Sequence, residues 1–261
     1  MVKKRFYSVC AAAAALLMGT ILTGCSSDET IEGGESPVVP NAAISYGVGG
    51  DEQGEAVNGN VPQPEPVKPV ESTPVDLGLS VKWAAGNVGA TSPEDYGLYF
   101  AWGETTGFTA EQVEKGVRKF DQDSYKASAI SDNLTLEQDA ARANLGGKWR
   151  MPTKAEFQEL IDNCYVAWTD DYNGAEVEGR ILFTGVKGRI FTSKINGNSV
   201  FFPAAGFCKD SGVNGVGSDG VYWSASDGAA GGTWFLFVNS YDQGMSYIYR
   251  YFGFSVRGVC E

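Results

Sequence analysis

The chain of 261 residues contains no histidine, and its 20 Lys and Arg against 32 Asp and Glu give a formal net charge of −12. The missing imidazole excludes Ser-His-Asp and Cys-His nucleophile systems and zinc sites with histidine ligands, and the negative charge argues against nucleic-acid binding, which needs clustered Lys and Arg. With 34 glycines, 12% aromatic and 20% charged residues, the composition is typical of a loop-rich globular domain and not of a coiled coil.

Residues 1–24 have the pattern of an export signal. A positive segment, Lys3-Lys4-Arg5, precedes an apolar run over 9–22 that is shorter than the ~20 residues of a membrane-spanning helix. The run ends in Leu22-Thr23-Gly24-Cys25, which resembles the lipobox of bacterial lipoproteins. The resemblance implies that the signal peptide is removed after residue 24 and that the Cys25 thiol receives a diacylglyceryl group. A plain secretory signal peptide that happens to contain this cysteine is the alternative.

Residues 25–75 differ in composition from the rest of the chain. They carry nine acidic residues against the single base Lys68, two glycine clusters, and five prolines between Pro62 and Pro74. Low hydrophobicity with a high net negative charge predicts a disordered tether, and its proline-rich part is expected to adopt extended polyproline II geometry. Ser26-Ser27-Asp28-Glu29 resembles the surface-export signal of Bacteroidetes lipoproteins, which implies an outer-membrane lipoprotein displayed at the cell surface. An ordinary acidic tether is the alternative.

The remaining 186 residues, 76–261, have the length of one domain. Two short helices are predicted, over 136–145 and over 153–163, and the second begins with a capping box of Thr153 and Glu156. Strands are predicted from β-branched and aromatic runs between turn residues, at 80–84, 96–102, 180–184, 190–193, 199–203, 221–225, 233–239 and 246–259. Helices early and strands late predict an α+β fold with several antiparallel strands.

Three cysteines remain in this domain, Cys164, Cys208 and Cys260. An exported protein can form disulfides, and three thiols allow one bridge with three alternative pairings. We expect Cys164 to pair with Cys260, because that bridge would join the end of a helix to the last strand and close the domain. No CxxC pair is present, so no metal site is predicted.

Three parts of the domain carry a resemblance to one family. They are 75–84 with 99–104, then Arg150-Met151-Pro152-Thr153 and its flanks, then 222–224 with Gly253-Phe254-Ser255-Val256-Arg257. Together they resemble the Fibrobacter succinogenes major paralogous domain, which is common in Bacteroidetes and Fibrobacter lipoproteins and is similar to C-type lectin-like and sulfatase-modifying-enzyme domains. The resemblance covers nearly all of 76–261 and implies a C-type lectin-like mixed fold whose last strands carry a ligand-facing surface.

The chain lacks the motifs on which activity in these related families depends. Calcium-dependent C-type lectins use Glu-Pro-Asn or Gln-Pro-Asp with Trp-Asn-Asp, and none of these occurs in 76–261. The sulfatase-modifying enzymes use a closely spaced cysteine pair, whereas Cys208 and Cys260 lie 52 positions apart. Asp170-Asp171 is a carboxylate pair of the kind that glycosidases use, but an exposed acidic turn is the expected meaning. We therefore predict no calcium site, no cofactor and no enzymatic activity.

The last strands are rich in aromatic residues, and strand alternation places some of them at the surface. In the run 247–251, three tyrosines are expected on one face of the strand and Ile248 with Arg250 on the other. Tyrosine combines a large contact area with a polar tip. We therefore predict a ligand-binding set that comprises Ser240, Tyr241, Asp242, Tyr247 and Tyr249. Cross-strand aromatic packing is the alternative for this set, and it is the preferred interpretation for Trp223, Trp234 and Phe254.

These features favour a surface-displayed lipoprotein that is attached to the outer membrane by its lipid anchor and binds an extracellular glycan or protein. A structural envelope protein without a dedicated ligand is the second hypothesis. An enzyme is the least favoured, because no nucleophile–base pair or metal cluster can be named. Full burial of Tyr247 and Tyr249 would exclude the first hypothesis, whereas a contiguous exposed patch would favour it.

Overall fold

The computed structural model describes residues 72–127, 133–174, 176–177, 180–181, 184–228 and 231–261. The predicted signal peptide, the lipidation site Cys25 and all of the predicted tether before residue 72 lie outside these ranges. The described chain is a mixed α+β fold in which short helices accompany mostly antiparallel strands, in agreement with the predicted fold class.

Strands make up most of the regular structure. In chain order they are β1 (Pro74–Val75), β2 (Lys82–Asn87), β3 (Tyr99–Phe100), β4 (Cys164–Tyr172), β5 (Glu176–Val177), β6 (Arg180–Ile181), β7 (Val186–Ser193), β8 (Ser199–Pro203), β9 (Phe207–Lys209), β10 (Gly212–Asn214), β11 (Asp219–Asp227), β12 (Gly232–Asn239), β13 (Gln243–Tyr249), β14 (Phe254–Ser255) and β15 (Arg257–Cys260). The α-helices of the described chain are α1 (Ala110–Glu114), α2 (Ala140–Leu145) and α3 (Lys154–Asn163), and a 3-10 turn covers Leu136–Gln138.

The largest sheet has five strands in the order β13-β12-β11-β14-β3. All of its pairs are antiparallel except β11 with β14, which is parallel. Two three-stranded sheets have the orders β1-β2-β15 and β4-β7-β8, and β5-β6 and β9-β10 form small hairpins. The second half of the chain therefore builds the main sheet, and β3 is its one contribution from before residue 200.

Both faces of the five-stranded sheet are apolar, and each packs into a different part of the core. On one face Tyr222, Leu236 and Val238 join Phe157 and Leu160 of α3, which lies across β11, β12 and β13. On the opposite face a second cluster contains Trp102, Met151, Trp223, Phe235 and Phe254. Because α3 covers only part of the first face, the position of this helix decides which residues of that face stay exposed.

Helix α3 begins where the sequence predicts. The Thr153 hydroxyl accepts a hydrogen bond from the Glu156 N–H at 3.2 Å, and the Glu156 carboxylate accepts one from the Thr153 N–H at 2.7 Å. Arg150 adds two hydrogen bonds to the same carboxylate, at 2.8 and 2.6 Å. The capping box satisfies two N–H groups that a helix N-terminus otherwise leaves without partners.

Several elements differ from the prediction. The helix expected over 136–145 is divided by Asp139, which adopts an extended conformation and caps α2 by accepting the Arg142 N–H at 2.9 Å. Helix α1 and strand β4 were not predicted. Asp170 and Asp171 lie in β4, next to a register shift between Thr169 and Tyr172, so the prediction of an acidic turn is wrong.

The first described strand lies before the predicted domain boundary at residue 76. Strand β1 consists of Pro74 and Val75, the last two residues of the segment predicted to be a tether, and pairs with Ala84 and Trp83 of β2. Proline is tolerated there because β1 is an edge strand, where a missing N–H breaks no ladder hydrogen bond.

The expected Cys164–Cys260 disulfide is absent. Cys164, Cys208 and Cys260 are all free and buried, and they belong to three different hydrophobic clusters. Cys164 packs beside α3, whereas Cys260 packs with Ala84 and Trp149. Burial raises the pKa of the Cys164 thiol to about 11, so it is protonated at neutral pH. These cysteines therefore act as small apolar core residues.

Arg257 connects three strands from the interior of the fold. Its side chain is fully buried and donates hydrogen bonds to the Asn87 side-chain oxygen and to the carbonyls of Ala84, Ala85 and Phe201, all between 2.7 and 3.0 Å. Its guanidinium carbon lies 4.6 Å from the centre of the Phe202 ring. Burial lowers the pKa of Arg257 to about 10, which still leaves the side chain charged at neutral pH.

Candidate functional site

Tyr247 and Tyr249 project from β13 into solvent. Their exposed fractions are 64% and 60%, whereas Ile248 between them is half-buried and packs against the second core cluster. The alternation predicted for this strand is therefore present from Tyr247 to Tyr249. The strand ends there, however, and Tyr251, the third tyrosine predicted on this face, lies in the turn that follows. Two large aromatic rings, not three, lie side by side on one face of the sheet.

Trp234 lies on the same face and takes part in cross-strand aromatic packing, which is the interpretation preferred for it from the sequence. It is the cross-strand partner of Tyr247, and the two ring centres are 5.7 Å apart in an edge-to-face arrangement. Its side chain is only half-buried. Trp223 and Phe254, for which aromatic packing within the sheet is also the preferred interpretation, stack on each other at 4.1 Å as predicted, and both are buried.

Lys154, the first residue of α3, completes this group. Its ammonium nitrogen lies 3.2 Å from the centre of the Trp234 ring, and its backbone N–H donates to the Ser226 hydroxyl at 3.0 Å. A cation over an indole ring is an attractive contact. We refer to Lys154, Trp234, Tyr247 and Tyr249 as the aromatic face.

Neighbouring groups hold the aromatic face in place. The Tyr249 ring stacks on Tyr251 at 5.6 Å with an interplanar angle of 7°, and Tyr251 stacks in turn on Phe252 at 5.1 Å. Arg250 points inward and forms an ion pair of 2.5 Å with Asp227, with its guanidinium 4.6 Å from the Trp102 ring. Both members of this ion pair are largely shielded from solvent. These contacts restrict the Tyr249 ring and the strand beneath it, which limits the entropy lost on binding.

The other predicted site residues lie in the turn between β12 and β13. Ser240, Tyr241 and Asp242 are all exposed, Tyr241 to 94%. The Asn239 side chain accepts the N–H groups of Tyr241 and Asp242, both at 2.9 Å, and so fixes the turn. Buried Arg189 supports it from below by donating to the Asn239 carbonyl at 2.8 Å.

The structure separates the predicted binding set into two groups. The turn residues 240–242 lie at one end of the hairpin, whereas Tyr249 pairs with Gly232 at the opposite end. Six residues of extended strand span roughly 20 Å, so one small ligand cannot contact Asp242 and Tyr249 together. Tyr247 and Tyr249 instead share a surface with Trp234 and Lys154. Lys154 was not among the residues predicted to form a site.

A cleft lies near α1 and the 3-10 turn, apart from the aromatic face. This cleft has a volume of about 440 Å³, and Glu104, Thr105, Arg118 and Glu137 are among its lining residues. Arg118 donates two hydrogen bonds to Glu104, at 2.9 and 2.8 Å, and a third to the Ser124 carbonyl at 2.8 Å. Because Arg118 and Glu104 neutralise each other's charge, we interpret them as a structural ion pair and not as a charged binding site.

The described part of the chain shows neither a candidate metal centre nor a helix suited to cross a membrane. No group of three or more Cys, Asp or Glu side chains in it is arranged to hold a metal ion. None of its helices combines the length and the apolar character needed to cross a membrane.

Comparisons of the chain with models of known protein families, with curated protein sequences and with solved structures found no match. The resemblance to the Fibrobacter domain and the C-type lectin-like topology therefore stay predictions. The candidate site rests on the geometry of the aromatic face alone.

Proposed function

We propose that this chain is a surface-displayed outer-membrane lipoprotein whose folded domain binds an extracellular glycan through the aromatic face. The observation that supports the proposal is the exposure of Tyr247 and Tyr249. Each ring contacts another aromatic ring, Trp234 or Tyr251, yet more than half of each tyrosine remains exposed to solvent. Leaving two large rings in water forgoes the stabilisation that their burial would give, which is understandable if a ligand covers them.

A sugar ring fits this surface chemically. The face of a pyranose carries C–H groups and its rim carries hydroxyls, so it can stack on a flat aromatic ring while its hydroxyls bond to polar groups at the edge. Tyr247 and Tyr249 provide two rings with phenol groups at their tips, and Lys154 provides a cationic donor beside them. Adjacent rings on one strand suit consecutive sugar units of an oligosaccharide better than a single sugar.

The export signals supply the location in this proposal. The segment that ends in Leu22-Thr23-Gly24-Cys25 would give the chain a lipid anchor, and residues 26–71 would hold the domain away from the membrane. Cells that express the chain should incorporate a labelled fatty acid into it, and Cys25→Ala should abolish this labelling. Cys10→Ala is the control and should leave the maturation of the precursor unchanged. Equal labelling of the Cys25→Ala variant would contradict the lipid anchor. Protease added to intact cells should remove the domain if it is displayed at the surface.

A glycan array probed with the purified full chain tests the binding proposal. Tyr247→Ala and Tyr249→Ala are each expected to weaken binding about tenfold or more, which corresponds to about 1.4 kcal/mol. Tyr165→Ala is the matched control, because Tyr165 is also a strand tyrosine, is 69% exposed, and has the amine of Lys194 5.6 Å from its ring. Unchanged affinity in both hairpin variants, or no glycan bound by the wild type, would leave the structural envelope protein as the better hypothesis.

A second pair of variants locates the ligand along the hairpin. If the aromatic face is the site, Tyr241→Ala and Asp242→Ala should bind like the wild type, because the turn lies at the opposite end of β13. Loss of binding in the turn variants with unchanged binding in Tyr249→Ala would move the site to the turn.

A further inference from the structure

The free edges of the sheets differ in how they are protected against pairing with another strand. An edge strand exposes unpaired N–H and C=O groups, and proteins usually guard it with charges, proline, bulges, short length or a covering segment. Edge strand β1 has two residues, one of them Pro74. Edge strand β3 also has two residues, and Phe108 covers it through hydrogen bonds with Tyr99 at 2.9 and 3.0 Å.

The same protection is present on longer edges. Strand β15 exchanges two hydrogen bonds with Arg150, at 3.0 and 2.8 Å. Strand β4 carries Asp170 and Asp171 together with a register shift. Each of these features makes edge-to-edge pairing unfavourable.

Strand β13 has none of these features. It is the outer strand of the largest sheet, its seven residues are Gln-Gly-Met-Ser-Tyr-Ile-Tyr, and it contains neither a charge nor a proline. Its register with β12 is continuous from Gln243 to Tyr249, without a bulge. Edge strand β8 is also uncharged, but it has five residues and ends in Pro203, and Arg257 donates to its Phe201 carbonyl at 2.8 Å. Among the edges of the described sheets, β13 is therefore the longest one that has neither a charge, a proline nor a register shift.

The hydrogen-bonding groups on its free side can be assigned from the turn. The Asn239 N–H donates to the Asp242 carbonyl at 3.0 Å, and antiparallel ladders alternate. Residues 244, 246 and 248 therefore bond to β12, while the backbone groups of Gln243, Met245, Tyr247 and Tyr249 point to the free edge.

Two of these outward groups already have partners. The Gln243 N–H donates to the Asp242 carboxylate at 2.8 Å, and the Tyr249 carbonyl accepts the Phe252 N–H at 3.5 Å. The groups left for a partner strand are the Gln243 carbonyl, the Tyr249 N–H, and both groups of Met245 and of Tyr247.

We propose that β13 pairs with β13 of a second copy of this chain, antiparallel about a two-fold axis at Ser246. In this register Met245 faces the second copy's Tyr247, and Gln243 faces the second copy's Tyr249. The Gln243 carbonyl then accepts the Tyr249 N–H of the other copy. The Gln243 N–H and the Tyr249 carbonyl, which already have partners within their own chain, lie opposite each other, so neither leaves a free group on the other copy unpaired. Every unpaired group on the edge is used, in about six hydrogen bonds between the copies.

The side chains favour a second copy over an unrelated peptide, because they are complementary in size across this axis. Ile248 lies opposite Gly244, which has no side chain, and Ser246 lies opposite itself. Tyr247 lies beside the flexible Met245, and Tyr249 beside Gln243. No like charges face each other, a condition that cross-strand pairs need. The joined sheet would place the aromatic faces of both copies on one continuous surface, although the pairing itself does not depend on what that surface binds.

A cysteine at the axis gives a direct test. Residue 246 would form a non-hydrogen-bonded pair with its own copy, and Cα atoms in such pairs are about 4.5 Å apart, within the range that a disulfide bridges. The full chain carrying Ser246→Cys should form a disulfide-linked dimer under mild oxidation at least about tenfold faster than the chain carrying Ser240→Cys. Ser240 is exposed in the adjacent turn and away from the axis, and the unsubstituted chain gives the background from its own thiols. Equal rates for the two variants would overturn the proposal.

The mass in solution is the second readout. An edge of seven residues on each copy is smaller than a standard stable interface of about 800 Å² on each partner, so the wild type should dimerise reversibly with rising concentration. Ser246→Lys places two ammonium groups opposite each other and should keep the chain monomeric, while Ser246→Thr should still dimerise. Analytical ultracentrifugation measures the mass, and circular dichroism checks that both variants are folded. A wild type that stays monomeric up to about 1 mM would overturn the proposal, even if it captured extended peptides on the same edge.

Discussion

Trp223 and Trp234 lie on adjacent strands of the five-stranded sheet but face opposite sides of it. Trp223 is fully buried, stacks on Phe254, and donates its indole N–H to the Phe100 carbonyl at 2.7 Å. Trp234 is half-exposed, with the Lys154 amine against its ring. The same residue type therefore serves as scaffold on one strand and as surface on the next.

The two faces of the sheet differ in how much of each is covered by other parts of the domain. The side of Trp223 is closed by residues from all parts of the domain. The side of Trp234 is covered by α3, which begins at Lys154 and leaves the hairpin beyond it open. The start of one helix thus sets the boundary of the candidate binding surface.

The largest expected effect comes from exchanging the two tryptophans for alanine. Trp223→Ala should lower the free energy of unfolding by about 3–5 kcal/mol, because it leaves a cavity and an unpaired carbonyl. Trp234→Ala should cost less than about 1 kcal/mol, as is usual for surface positions. Urea denaturation of both variants measures the contrast. Equal losses would mean that Trp234 belongs to the scaffold.

Arg257 tests how much of the buried side depends on polar contacts. Arg257→Met keeps the length of the apolar stem but leaves the Asn87 side-chain oxygen and three carbonyls without their donor. Each unsatisfied buried group costs about 1–3 kcal/mol, which for four groups is at least about 4 kcal/mol, but removing a buried charge offsets part of this cost. We therefore expect a net loss of about 3 kcal/mol in denaturant unfolding. Arg257→Lys keeps the charge with fewer donors and should lie between the wild type and the methionine variant. A methionine variant as stable as the wild type would show that these acceptors find other partners.

Glu156 links the scaffold to the aromatic face, since it caps the helix that begins with Lys154. Partial burial raises the pKa of its carboxyl, but the hydrogen bonds and charge of Arg150 and the Thr153 N–H outweigh this and hold the pKa below the usual range of a glutamate. A lowered pKa in the folded state stabilises the fold above the ordinary pKa of about 4.3. That stabilisation is lost as the pH falls through the lowered value.

Glu156→Gln removes the pH-dependent stabilisation by the ionised carboxylate but keeps the capping box. The variant should be about 1 kcal/mol less stable than the wild type at neutral pH, and the difference should shrink as the solution is acidified. Thermal melts of both proteins across the acid range measure it. A difference that stays constant with pH would show that the ion pair with Arg150 contributes nothing.

Lys154 should give the smallest effect and the most local one. Lys154→Met keeps the stem against Trp234 and removes the ammonium, so the loss should be about 0.5–1 kcal/mol, the usual size of an exposed cation–π contact. Lys194→Met is the comparison, because the Lys194 amine is 5.6 Å from the Tyr165 ring instead of 3.2 Å. If the aromatic face binds a glycan as proposed and Lys154 contacts it, the Lys154→Met variant should also lose affinity a few-fold, whereas Lys194→Met should not.

The sequence was sufficient where a local rule decides the structure. The capping box places the start of α3, and the strand at Ser199–Pro203 has the predicted bounds. The alternation of Tyr247, Ile248 and Tyr249 predicts which rings are exposed. In each case the residues that specify the feature are neighbours in the chain.

Prediction failed where the deciding contact is distant in sequence. Strand β4 follows α3 directly, with no glycine or proline to mark the change. Asp170-Asp171 has the composition of a turn, and only the pairing of β4 with β7 makes this segment a strand. The cross-strand packing predicted for Trp234 is present, but its half-exposed position beside Lys154 was not predicted. Its exposure depends on where α3 ends its cover of the sheet, which no local pattern records.

The sequence by itself determined the absence of imidazole chemistry, the distinct composition of residues 1–75, the α+β class and the tyrosine alternation on β13, because each depends on residue type or on short-range spacing. The tertiary structure decided that the turn and the tyrosines are separate surfaces, that Lys154 and Trp234 belong with the tyrosines, and that the three cysteines are free. These are contacts between segments far apart in the chain, and such contacts are fixed by how α3 and the strands pack together.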